Sequence, residues 1–79
     1  MFVEIVFIGL PVDRDEVEEA LEAAFGLDGE ITGAGSGMGR CHLDLEVKAN
    51  LGSGPALDRL HVVLAELGIE EYATVNISD

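Results

Sequence analysis

Seventy-nine residues with a 48% hydrophobic fraction supply apolar material for one core and leave no room for a second, so one domain over 1–79 is expected. Sixteen acids against four bases give a formal net charge of -12, a surface that repels nucleic-acid backbones and anionic membranes and favours a basic protein or a cation. The one cysteine, Cys41, excludes an internal disulfide framework and suits a reducing, cytoplasmic setting.

The chain starts MFVEIVF, without a basic leader or a small-residue cleavage site, so no signal peptide is expected. Phe2 to Leu10 is rich in β-branched and aromatic residues and apolar at nearly every position, as in a strand buried in mid-sheet. The apolar run from Ile5 to Val12, broken by Gly9 and Pro11, is too short to span a bilayer. Asp13 to Phe25 reads as a helix. Asp13 and Glu16 have the spacing of an acidic capping box, and Val17, Ala20, Leu21, Ala24 and Phe25 form one apolar stripe. Gly26 suits a left-handed C-terminal cap.

Glu30 to Val47 reads as two strands around the run GAGSGMG, residues 33–39. The run fits neither a dinucleotide fingerprint nor a Walker A loop, and a strand rather than a helix follows it. It therefore reads as a hairpin tip. Pairing Ile31 with Leu43 would set Gly33 opposite Cys41 and Gly35 opposite Gly39, with Ser36-Gly37-Met38 as the loop. A shift by two residues keeps the same parity, whereas a two-residue loop would place core residues opposite solvent residues. On the outgoing strand Cys41, Leu43, Leu45 and Val47 alternate with Arg40, His42, Asp44 and Glu46, a half-buried strand. Asn50 to Pro55 is a loop with Pro55 as a first helical residue. Ala56, Leu57, Leu60, Val63, Leu64 and Leu67 supply a second helical stripe closed by Gly68, and Tyr72 to Ile77 is the last strand.

The order β-α-β-β-α-β resembles the ferredoxin-like superfold, by element order alone. It implies an α+β domain with a four-stranded antiparallel sheet and two helices on one face. That superfold hosts many unrelated functions, and the residues identify no functional family.

In such a sheet the first and third strands are central neighbours. The open face would then join Phe2, Glu4, Val6 and Ile8 to Arg40, His42, Asp44 and Glu46, with Thr32 from the second strand and Tyr72, Thr74 and Asn76 from the last. As a metal site, His42, Asp44, Glu46 and Glu4 are suitable ligand types. They splay along a strand beside Arg40, so a solvated charged row is expected and no metal. As an RNA face, the row has only Phe2 and Tyr72 as stacking aromatics, no RNP pattern and the wrong charge. As a protein interface, Phe2, Val6, Ile8 and Tyr72 make an apolar centre with a polar rim. The second candidate surface is the acidic first helix, with Asp15, Glu18, Glu19 and Glu22. Cys41 is expected as a small buried hydrophobe and His61 as a boundary residue. No catalytic constellation and no cofactor site is read.

The leading expectation is an acidic interaction module that binds, and can inhibit, a basic protein, or that self-associates through the sheet. Compact acidic immunity proteins mask the basic groove of a nuclease in this electrostatic way. The alternative is a small-molecule-sensing regulatory domain acting as an oligomer, as ACT-type members of the superfold do near the first strand-helix turn.

Overall fold

In the computed structural model, which describes Met1–Ser78, alternation along Phe2–Ile8 (β1) sends Val3, Ile5 and Phe7 into the core and leaves Phe2, Glu4 and Val6 on the other face. Helix α1 (Arg14–Phe25) buries Val17, Leu21 and Phe25, with Ala20 and Ala24 half-buried beside them. A 3-10 turn, Gly26–Asp28, leads into β2 (Gly29–Gly37), which hairpins into β3 (Arg40–Val47). Helix α2 (Ser53–Glu66) buries Ala56, Leu60, Val63 and Leu64. A second 3-10 turn, Glu70–Tyr72, precedes β4 (Ala73–Ser78).

The strands lie in the order β2-β3-β1-β4, and every neighbouring pair is antiparallel. This is the α+β, ferredoxin-like βαββαβ layout that the element order predicts. Buried residues from both helices and from the inner face of β1 and β3 form one cluster, so one side of the sheet is covered and the other is open. Among the described residues no helix is long and apolar enough to cross a membrane.

Several boundaries differ from the sequence reading. β1 ends at Ile8 because Gly9 turns at φ 68°, and the Gly9 amide donates to the Gly39 carbonyl at 2.9 Å. The capping box is not formed. Asp13 has the extended backbone of an N-cap, and its carbonyl accepts from the Glu16 amide at 3.1 Å. Its carboxylate makes no cap bond and stays exposed. α2 starts at Ser53, after Gly52 at φ 83°, and Pro55 sits inside the first turn, where its missing N–H has no helical acceptor to lose. Tyr72 belongs to the 3-10 turn and not to β4, its amide donating to the Ile69 carbonyl at 3.0 Å.

The hairpin register is the main correction. Ile31 pairs with Leu45, not Leu43, and Thr32 is then an extra residue, a β-bulge, so that Gly33 pairs with Asp44, Gly35 with His42 and Gly37 with Arg40. The loop is the two residues Met38-Gly39, at φ 52° and 77°. Positive φ at both central positions is the signature of the type I′ turn, whose twist matches that of the strands. The bulge removes the parity conflict that otherwise argues against a two-residue loop. It turns Gly33, Gly35 and Gly37 to the open face and Ala34 and Ser36 to the helix side.

Candidate interaction surface

β1 and β3 build the centre of the open face. Their register sets Phe2 opposite Glu46, Glu4 opposite Asp44, Val6 opposite His42 and Ile8 opposite Arg40. From β4, Ser78, Asn76 and Thr74 stand beside Phe2, Glu4 and Val6. The Asn76 amide donates to Glu4 Oε1 at 3.5 Å. Phe2 and Val6 are half-buried, and Ile8 is 57% exposed at the end of the strand. Tyr72 is 36% exposed and stands outside the paired strands. Thr32 sits at the bulge, its hydroxyl donating to the Asp44 carbonyl at 3.4 Å.

The glycines of β2 shape the outer part of this face. A Cβ on Gly33 would lie 2.7 Å from Asp44 Oδ2, and one on Gly35 would lie 2.6 Å from His42 Cε1. The two side chains therefore lie across β2, in the space that glycine leaves, and His42 Nε2 comes within 3.8 Å of Asp44 Oδ2. Gly35, Gly37, Val6 and Glu4, with Arg40 and His42, border a shallow groove of about 480 Å³. A second groove, of about 340 Å³, lies at the hairpin end between Gly9–Arg14 and Ser36–Cys41. It brings Arg14 and Arg40, two of the four bases, to one end of the molecule.

The acids dominate elsewhere. Glu30 faces Glu46 across β2 and β3, and Glu4 faces Asp44 across β1 and β3. Among the described residues Glu4, Glu30 and Glu46 have no Lys, Arg or His within ion-pair distance, while Asp44 has His42 Nε2 at 3.8 Å. On α1, Asp15, Glu16, Glu19 and Glu22 are exposed, while Glu18 is partly covered and reaches Arg14 Nε at 3.9 Å. Glu22 and Glu30 converge on one cleft of about 360 Å³ with Gly26, Gly29 and Ile31. The acidic helix and the acidic sheet face thus meet along the outer edge of β2.

The structure brings Phe2, Glu4, Val6, His42, Asp44 and Glu46 onto one face, with Ile8 at its end. Asp15, Glu19 and Glu22 lie on a separate face that joins it at the β2 edge. The meeting of Glu22 and Glu30 was not legible in the sequence, because it depends on α1 packing beside β2. Cys41 is half-buried against the core. Burial pushes its thiol pKa above the ordinary value, and nearby Arg14 offsets part of that rise. His61 is exposed, with Nδ1 3.5 Å from Glu70 Oε2. Among the described residues no three His, Cys, Asp or Glu side chains cluster as metal ligands would. Compared with models of known protein families and with curated proteins, the chain matches none.

Proposed function

We propose that the chain is an acidic protein-protein interaction module that docks on a basic protein surface and masks it. The observation that carries this reading is the pairing of like charges. Glu30 and Glu46, and Glu4 and Asp44, stand directly opposite one another in the sheet. Like charges placed so destabilise a strand pair. A basic partner would relieve that repulsion at the moment of binding, and opposite potentials would steer its approach. The exposed acids of α1 extend the same field around the β2 edge.

The test is capture of partners from the native host's lysate at low and at moderate salt. The natural chain is compared with two charge-reversed forms, Glu18→Lys/Glu19→Lys/Glu22→Lys and Glu30→Lys/Glu46→Lys. A basic protein held by the natural chain, released by salt and lost in at least one reversed form is the expected result. Equal capture by all three forms would refute the reading.

A further inference from the structure

We infer that the outer edge of β2 is a strand-addition site, and that its occupant is an extended basic segment of a partner protein with lysine or arginine at alternate positions. The inference rests on the acidic-module reading and specifies its binding mode.

The first observation is the edge itself. β2 is an outer strand of nine residues, and four of them are glycine. Hydrogen-bonded and non-hydrogen-bonded pairs alternate in an antiparallel ladder, and a two-residue turn is closed by a bonded pair. Gly37–Arg40, Gly35–His42 and Gly33–Asp44 are therefore the bonded pairs, and Ala34 and Ser36 direct their N–H and C=O groups away from β3. Among the described residues no backbone group outside the sheet bonds to β2. The side chains at these two positions are a methyl and a hydroxymethyl, so nothing bulky shields the edge. Long, unshielded edges of this kind template further pairing.

The second observation is what an added strand would meet. On the open face, the strand would run past Glu30 and then past Gly33. No side chain stands at Gly33, and the Asp44 carboxylate lies over it instead. The next position, Gly35, is occupied in the same way by the His42 ring. Alternate residues of an incoming strand thus face two carboxylates and then an imidazole. On the helix side the strand would pass Ile31 and Ala34, which suits small or β-branched residues, with Glu22 flanking the entry. β2 carries no base. Main-chain bonds supply affinity in strand addition, and alternate side chains supply specificity. The charge complement is therefore a basic side chain at the two alternate positions that face Glu30 and Asp44.

The probe is a short peptide alternating lysine and threonine. Its controls are the same peptide N-methylated at every second residue and a glutamate-for-lysine version. Affinity is measured by calorimetry at low salt, and amide shifts of the labelled protein locate the contact. The lysine peptide should bind and move the Ala34 and Ser36 amides, and the glutamate version should not bind. N-methylation, or Ala34→Pro, which removes only an outward N–H, should weaken binding by about tenfold. Ser36→Pro is the second variant, and the N-methylated peptide needs no variant at all.

Equal binding of the N-methylated peptide would overturn strand addition while leaving the acidic module intact, since charge alone would then suffice. Binding that Glu30→Lys leaves unchanged would overturn the assigned contacts. If the natural chain is a dimer that Ala34→Pro dissociates, a second copy occupies the edge and the basic segment is refuted. A lysine peptide that does not bind at all overturns this site, and the capture experiment then judges the parent reading separately.

Discussion

Met38 is the one residue other than glycine with positive φ among those described, at 52°, and its side chain is fully exposed. A residue with a Cβ pays roughly 1–2 kcal/mol in that region, and asparagine is the side chain that tolerates it best. Asn-Gly is also the preferred pair for a type I′ turn. Met38→Asn should therefore raise the unfolding free energy by about 0.5–1 kcal/mol, read by denaturant titration. No packing is lost, because Met38 packs on nothing. A drop in stability would mean that the turn is not of this type. Gly33 and Gly35 teach a different lesson. Their role is to leave room, which the Asp44 carboxylate and the His42 ring fill. Glycine is silent in a period-2 pattern, so the sequence of residues 33–37 is equally consistent with either face. That silence is why the bulge at Thr32 could not be read from the alternation, while β3, whose side chains alternate in polarity, and β1, where Glu4 alone marks the open face, turn Val3, Ile5, Phe7, Leu43 and Leu45 to the core as expected.

Elements are joined by contacts that no local pattern announces. α1 has no basic residue in its last turn, where the helix dipole would favour one. Arg59 of α2 supplies it from outside. Its Nη1 donates to the Ala24 carbonyl at 3.3 Å and to Asp28 Oδ2 at 3.1 Å, and its guanidinium lies 5.4 Å from the centre of the Phe25 ring. One side chain thus ties α2 to the end of α1 and to the turn before β2. Arg59→Ala should cost about 1–2 kcal/mol from the lost cation-π and dipole contacts. Arg59→Lys should restore only part of it, because an ammonium cannot make the planar contact. Thermal unfolding of the three forms measures this, and an alanine variant as stable as the natural chain would refute it. The helices themselves were legible, since apolar stripes at 3.6-residue spacing are local. Their partners were not. Arg59 meets Asp28 only because α2 packs beside the end of α1, and Glu22 meets Glu30 only because α1 packs beside β2. The expected capping box failed for a related reason, because spacing permits that bond but an exposed carboxylate can satisfy itself with water.

Charge acts over the whole molecule, whose extents are 35 × 22 × 18 Å. At low ionic strength, on the order of 0.01 M, the screening length is about 30 Å and spans it; near 0.15 M it is about 8 Å and reaches only neighbours on one face. With a net charge of -12, the folded chain repels itself most when screening is weakest. The melting temperature should therefore rise as salt is added over this range. Among the described residues the ion pairs are too few and too exposed to reverse the sign, since only Arg14–Glu18 and Arg59–Asp28 do not depend on a protonated histidine. The same salt should weaken capture of a basic partner, because attraction across the interface is screened as repulsion within the chain is. Stability and binding must then move in opposite directions along one salt series. Their divergence separates electrostatic docking from any loss of binding caused by unfolding. A melting temperature that falls or stays flat with added salt would show that the acids are neutralised within the fold itself, and the basic partner would lose its physical basis.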